Sequence, residues 1–322
     1  MTIVPPIGPS FELVEEVTAN QLAQRGGFGP RTGPVLIKGA VRMWPAWERW
    51  SFETMAQLKK PDGSPATAEF ITGVVEQGAT REVRTLPIGP YLLELASAAR
   101  TRSQEDRRHL GLLSERRREN LKPGERFPLD WSHMKTFVPD RVYLSQWDVL
   151  GEFPHLKADF DIGRLWPGLR KTWGYVFMGP ANTVTGLHFD FPNNWFCQVR
   201  GTKEVILVPP DQSRHMLPSR KFDWGATLSE IDITRLEEQP RQLEEFSKVR
   251  AIYARVEAGD ALFIPKGTWH AVVAMEPSIS LALFGLTPSE ILIGGGKEEI
   301  KALLHRMHLY RWGNCACHPA AA

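Results

Sequence analysis

Short apolar runs, each bounded by Gly, Pro or charged residues, recur along most of this chain. Three of the clearest are Pro34–Gly39, Lys203–Val208 and Ser278–Gly285, which are rich in β-branched and other apolar residues. Short runs of this kind between turn signals predict β-strands. Further strands are predicted within residues 67–86, 141–147, 173–180, 185–203, 249–256 and 259–264. The pattern therefore predicts a mainly β protein.

Two segments carry helix signals instead. Ser51 can cap a helix that continues to Leu58, and the loop Lys60–Gly63 would end it. Near the end of the chain, apolar residues recur at i, i+3, i+4 and i+7, which marks one face of a helix. They are Ile300, Leu303, Leu304 and Met307.

The composition agrees with a folded domain that has a substantial core. Hydrophobic residues make up 42% of the chain and charged residues 24%, as in typical globular proteins. The 11 Trp and 25 Pro suit many short strands and turns better than a helical bundle. The net charge of +2 gives no reason to expect a nucleic-acid partner.

The number of cysteines and the N-terminal sequence indicate the cellular compartment. The three cysteines, Cys197, Cys315 and Cys317, are too few for a disulfide framework, which favours a reducing compartment. Met1–Pro6 lacks the basic and apolar regions of a signal peptide, and no apolar run reaches membrane-spanning length. We predict a cytoplasmic protein that has no membrane association.

Residues 100–126 form the most basic stretch of the chain. They contain nine Lys or Arg and five Asp or Glu, a net charge of +4. A solvated helical insertion is one interpretation. The other is a flap that engages an acidic substrate.

The candidate chemistry centres on His188 and Asp190. They lie two positions apart in an extended run, so both side chains point to one face of a strand. A second histidine, His270, follows 82 residues later on a predicted strand after a Pro-Lys-Gly turn. Two imidazoles and one carboxylate are the ligands of a common Fe(II) site that keeps open coordination positions.

Two further residues suggest a cosubstrate. Lys203 follows His188 by fifteen residues, where a cation could hold the far carboxylate of a dicarboxylic acid. Alternatively, its stem packs while its ammonium group reaches solvent. Thr185, three residues before His188, could add a hydroxyl donor.

These motifs resemble the JmjC or cupin-like family of Fe(II)- and 2-oxoglutarate-dependent oxygenases, over about residues 34–290. The most specific parts are Thr185–Lys203, Pro209–Gln212 and Gly259–His270. Within the family, the motifs are most similar to those of the asparaginyl hydroxylase of hypoxia-inducible factor. The resemblance implies a double-stranded β-helix, or jelly roll, with flanking N- and C-terminal helices.

The resemblance also implies cofactors and roles. His188, Asp190 and His270 would bind Fe(II), with 2-oxoglutarate and O2 as cosubstrates. Lys203, Thr185, Tyr143 and Asn194 would contact 2-oxoglutarate or its surroundings, although core packing is an equal alternative for Tyr143. Trp269 and Asn194 would orient ligands or shape the pocket.

The implied organisation has three parts: an N-terminal lead at 1–33, the oxygenase domain at 34–290 with the charged insertion 100–126, and a C-terminal helix and tail at 291–322. Relatives use C-terminal helices to form dimers, so the face around Leu303 predicts either a homodimer or packing onto the chain's own domain. Cys315, Cys317, His318 and His308 are weak candidate zinc ligands, since their spacing matches no zinc pattern.

The implied activity is hydroxylation of an amino-acid side-chain carbon in a peptide or protein, coupled to conversion of 2-oxoglutarate to succinate. Alternatives are hydroxylation of a small molecule, demethylation of methyl-lysine, and metal binding without catalysis. Two departures concern the substrate. Thr227-Leu228 stand where the asparaginyl hydroxylase has an Arg-Gln pair, and Phe284 or Gly285 stands where the family has an asparagine.

Overall fold

The computed structural model describes residues 8–24, 32–72, 82–101, 122–126, 129, 142–161, 163, 171–223, 225–292 and 296–315. Two predictions fall wholly or partly elsewhere. Most of the basic insertion 100–126 lies outside the described residues, as do Cys317 and His318 of the candidate zinc site. The zinc hypothesis and the substrate flap therefore stay predictions.

Sixteen strands are present in the described part of the chain. They are β1 (Ser10–Leu13), β2 (Glu15–Thr18), β3 (Val35–Lys38), β4 (Thr67–Thr72), β5 (Glu82–Pro87), β6 (Glu125–Arg126), β7 (Val142–Trp147), β8 (Lys171–Gly179), β9 (Val184–Asp190), β10 (Asn193–Arg200), β11 (Lys203–Val208), β12 (Ala226–Leu228), β13 (Arg250–Val256), β14 (Ala261–Ile264), β15 (Trp269–Ala274) and β16 (Ser278–Leu286). Each strand predicted from an apolar run has a counterpart.

These strands form two large sheets. One has seven strands in the order β12-β9-β15-β11-β13-β1-β6, and the other has nine in the order β2-β3-β14-β10-β16-β8-β7-β4-β5. Strands distant in sequence are neighbours, and nearly all pairs are antiparallel. The predicted mainly β, jelly-roll class with helical additions is confirmed.

The central strands are buried on both faces, because apolar cores lie on each side of each sheet. On β11, Val205 and Leu207 join a cluster that also contains residues of the nine-stranded sheet, so this cluster lies between the sheets. The alternate residues Ile206 and Val208 belong to a second cluster. Alternation of side chains along a strand produces this division.

Helices cover the outside of the sheets and the chain ends. They are α1 (Ala19–Gln24), α2 (Pro45–Arg49), α3 (Phe52–Met55), α4 (Ile88–Thr101), α5 (Val149–Glu152), α6 (Pro240–Phe246), α7 (Pro288–Glu290) and α8 (Gly296–Arg306), with 3₁₀ helices at Ala40–Met43, Pro154–Asp159, Pro210–His215 and Ile233–Glu238. Ser51 caps α3 as predicted and forms a reciprocal capping box with Thr54, but the helix ends at Met55 and not at Leu58.

Two regions differ from simple expectations. The predicted lead contributes β1 and β2, which pair in parallel with β13 and β3. The connection after Gln212, for which no strand was predicted, contains β12, a strand that pairs with β9. Because β12 is only three residues long, its stability comes from this pairing and not from a local pattern.

The apolar face predicted on α8 is mostly exposed. Ile300, Leu303 and Met307 are 59%, 53% and 57% exposed, whereas Ala302 and His305 are buried. Leu304, the fourth residue of this face, is half-buried, so most but not all of the face is exposed in the described structure, and the homodimer stays a prediction. In the described part of the chain, no helix is long and apolar enough to cross a membrane.

Candidate metal centre

His188, Asp190 and His270 lie together on two neighbouring strands. His188 and Asp190 share a face of β9, and His270 on β15 pairs directly with His188. The Nε2 atoms of His188 and His270 lie 3.9 and 3.6 Å from the Asp190 carboxylate oxygens. One ligand atom from each residue falls within 4.8 Å of the others, so the three residues could hold a metal ion.

Backbone carbonyls orient both histidine rings. The Nδ1 atom of His188 lies 2.8 Å from the carbonyl oxygen of Gly186, and Nδ1 of His270 lies 3.0 Å from that of Thr268. Since a carbonyl only accepts, Nδ1 carries the proton and Nε2 presents a lone pair towards Asp190. Burial, and then the neighbouring His188, hold the pKa of His270 well below its usual value. A neutral imidazole is the form that binds metals.

Lys203 extends from β11 into the same cavity, and its side chain is buried. Its ammonium group lies 3.4 Å from the hydroxyl of Tyr143, and the rings of Tyr143, Phe177 and Phe196 surround it at 5.4–5.8 Å. Among the residues that the structure describes, no carboxylate pairs with it. Burial lowers the pKa of Lys203 to about 7. An isolated buried cation is costly, so the cavity fits an anionic ligand.

Three more predicted residues line this cavity, which opens to solvent. Thr185 and Tyr143 contribute hydroxyl groups, and Asn194 donates from Nδ2 to Asp190 at 3.3 Å. The Oδ1 atom of Asn194 is buried and has no hydrogen-bond partner among the described residues. The cavity therefore combines a cation with polar groups, as a bound oxyacid would require.

Trp269 does not shape this pocket. It points away from the neighbouring His270, packs against the Phe189 ring at 4.7 Å and donates to the hydroxyl oxygen of Ser213. It supports the outer face of the sheet. Of the two residues at the position of the family's asparagine, Phe284 lines the cavity and Gly285 does not.

Residues 27–284 match the model of the family described as the cupin-like domain. The chain belongs to the cupin-like domain family. Proteins of the JmjC group to which its relatives belong are typically Fe(II)- and 2-oxoglutarate-dependent oxygenases. The predicted family is thus confirmed, and the His-Asp-His cluster agrees with it.

Several relatives with different printed names are similar to this cupin-like domain. The Jumonji C domain-containing protein 5 of Drosophila melanogaster is 30% identical over 44% of this chain and 36% of its own length. The lysine-specific demethylase JMJ31 of Arabidopsis thaliana is 22% identical over 77% of this chain and 45% of its own. The tRNA wybutosine-synthesizing protein 5 of Homo sapiens is 22% identical over 84% of this chain and 76% of its own.

The chain thus spans less than half the length of the Drosophila and Arabidopsis relatives. Because the names of the relatives cite a lysine demethylase and tRNA modification, membership of the family leaves the substrate open.

Sequence reasoning missed several residues that line the cavity of this cupin-like domain. Gln146 does so from a β-bulge in β7 and has a left-handed backbone (φ 57°), which is unusual for a residue other than glycine. The others are Phe177, Phe196, Ile264, Val272 and Ala282. Alternation of side chains along the predicted strands could have predicted that most of these residues face the cavity. No sequence pattern predicts the β-bulge in β7.

Proposed function

We propose that this cupin-like domain is an Fe(II)- and 2-oxoglutarate-dependent dioxygenase that hydroxylates an amino-acid side-chain carbon. The observation that carries the proposal is the joint lining of one cavity by a three-residue metal cluster and a buried lysine that pairs with no carboxylate among the described residues. A cupin that only bound metal would have no need of the lysine. Removal of Lys203 from water is costly unless an anion arrives.

Each cavity residue has a proposed role in binding the metal or the cosubstrate. His188, Asp190 and His270 would hold the iron, and Asn194 would fix the Asp190 carboxylate. Lys203 would bind the far carboxylate of 2-oxoglutarate, with the hydroxyl groups of Tyr143 and Thr185 beside it. When bound, Fe(II) and 2-oxoglutarate supply the reaction in which O2 converts C–H to C–OH while 2-oxoglutarate becomes succinate and CO2.

The cavity opens to solvent, which suits the entry of a side chain as the reacting group. A peptide or protein would insert one side chain and remain outside. The alternative is a small molecule that enters whole.

The proposal is tested with anaerobically prepared protein that is loaded with Fe(II) and 2-oxoglutarate, exposed to air and screened against pooled peptides, metabolites and tRNA. We expect stoichiometric succinate and a mass increase of one oxygen in a peptide. The same increase in a metabolite would support the small-molecule alternative. A product from tRNA alone, or no succinate above a metal-free control, would contradict the proposal.

We further propose a homodimer through α8, whose apolar face is mostly exposed. In an antiparallel pair related by a twofold axis at Leu303, Ile300 meets Met307 of the second copy. The same arrangement brings the acidic first turn, with Glu299, near Arg306 of the last turn. Apolar contact at the centre and opposite charges at the edge are both favourable.

Leu303→Asp should convert the dimer to a monomer, because it places two carboxylates at the centre of an apolar contact. Light scattering after size-exclusion chromatography measures the mass. Leu93→Asp is a matched control, since Leu93 on α4 is also 53% exposed. A wild-type mass equal to one chain, or equal dissociation by both variants, would contradict the dimer.

A further inference from the structure

A hydrogen-bonded network centred on Glu290 joins three segments beside the metal cluster. Glu290, the last residue of α7, accepts from Asn193 Nδ2 at 3.2 Å and forms an ion pair with Lys266 at 2.7 Å. It also accepts from the backbone and the hydroxyl of Thr287, both at 2.9 Å. One carboxylate thus holds the start of β10, the turn before β15 and the segment after β16.

This network reaches the candidate metal ligands through the turn before β15. The Asn193 side chain accepts from the backbone N–H of Lys266 at 3.0 Å. The next N–H, that of Gly267, donates to the carbonyl oxygen of Asp190 at 3.0 Å. The carbonyl of the following residue, Thr268, accepts from the His270 ring. Three consecutive residues therefore connect the network to one ligand on each strand.

We propose that Glu290 is a positioning residue that sets the separation of Asp190 and His270 through Asn193 and the Lys266–Thr268 turn. The inference rests on the proposed function, because it requires that the two ligands bind a metal. Glu290 touches neither ligand. Its effect comes from fixing the turn whose peptide groups hold the Asp190 backbone and the His270 ring.

Groups that hydrogen-bond a metal ligand directly typically affect metal affinity by about tenfold to a hundredfold, and Glu290 acts on such groups only through the turn, so the lower end of this range applies. Glu290→Ala should therefore raise the dissociation constant for Co(II) about tenfold. The measurement is an anaerobic titration followed by the d–d absorption of Co(II), which reports the geometry of the ligands without turnover. Asn193→Ala should have a similar effect, because it breaks the same path.

The double variant distinguishes positioning from general loosening. If both residues act along one path, Glu290→Ala/Asn193→Ala should be little worse than either single variant, and Glu290→Gln should recover most of the affinity because its amide oxygen still accepts. Glu298→Ala on α8 is the matched control, since Glu298 also pairs with a lysine, Lys301, but lies outside the network. It should bind Co(II) as the wild type does.

Wild-type Co(II) affinity in Glu290→Ala and Asn193→Ala would overturn the inference while leaving the proposed function intact. A lower melting temperature without loss of Co(II) affinity would do the same, because it would show a purely structural role. If Glu290→Ala does not fold, Asn193→Ala decides between these results. Failure of the wild-type protein to bind Co(II) would overturn both the proposed function and this inference.

Discussion

Replacing Asp190 by alanine should abolish Fe(II) binding and all 2-oxoglutarate turnover. Asp190 provides the only carboxylate of the metal cluster, and its oxygens approach the Nε2 atoms of both histidines. Loss of a ligand should exceed the roughly 10–100-fold cost of losing an outer partner. The fold should survive, since Asp190 ends a strand and its side chain is partly exposed. Iron retained after dialysis and succinate formation are the measurements.

Two variants control this result. Asp190→Asn keeps the size of the side chain but removes its charge, so it should lose iron nearly as completely. Asp62→Ala removes a carboxylate from an exposed turn and should bind iron normally. Full succinate formation by Asp190→Ala would show that Asp190 is not a ligand.

Lys203→Met should weaken 2-oxoglutarate binding at least about a hundredfold. Removal of one partner of a buried ion pair costs about 3–5 kcal/mol, and each tenfold change in affinity corresponds to about 1.4 kcal/mol. Fe(II) affinity should change far less, because Lys203 is not part of the metal cluster. Calorimetric titration of 2-oxoglutarate into protein loaded with Zn(II), which does not turn over, gives the dissociation constants.

The pH dependence should identify Lys203 as the group responsible. The pKa of Lys203 is lowered to about 7 by burial, and the dicarboxylate binds the ammonium form. Above pH 7 the free wild-type protein must take up a proton to bind, so its affinity for 2-oxoglutarate should fall as the pH rises. Lys203→Met should show no such fall.

The free energy of unfolding of the ligand-free protein should change with pH in the opposite direction to the 2-oxoglutarate affinity. Between about pH 7 and the ordinary lysine pKa of 10.5, the unfolded chain binds the Lys203 proton and the folded chain does not. The free energy of unfolding of the wild type should therefore rise with pH in this window, relative to Lys203→Met. Below pH 7 the methionine variant should be the more stable of the two.

An exposed lysine provides the comparison for both measurements. Lys157→Met, on a 3₁₀ helix at the surface, should leave cosubstrate affinity and its pH dependence unchanged. A wild-type binding curve for Lys203→Met would remove Lys203 from the cosubstrate site and return it to a packing role.

The sequence was sufficient to predict the strands and the shared face of His188 and Asp190, because both depend on local, periodic patterns. His188 and Asp190 share a face through alternation alone, and apolar runs such as Lys203–Val208 are long enough to identify. Their convergence with His270 needed the resemblance to a known family, since no local rule fixes which distant strands pair. Their role as iron ligands remains a prediction.

Other features depend on tertiary contacts that no local sequence pattern predicts. β12 exists through its pairing with β9, and Gln146 faces the cavity because a bulge interrupts β7. The side chain of Trp269 lies on the face of β15 opposite to that of His270. Alternation of adjacent residues along a strand could have predicted this orientation. Glu290 reads as an ordinary exposed carboxylate in sequence, and only the fold brings it to Asn193 and Lys266.

One measurement tests most directly whether a single pocket holds both the metal and the cosubstrate. 2-Oxoglutarate is titrated anaerobically into Fe(II)-loaded wild-type protein, and the metal-to-ligand charge-transfer absorption that follows chelation of Fe(II) is recorded. We expect a saturable band with one 2-oxoglutarate and one iron per chain, absent in Asp190→Ala and shifted to much higher concentration in Lys203→Met. Iron-loaded wild-type protein that develops no band at saturating 2-oxoglutarate would contradict the shared pocket.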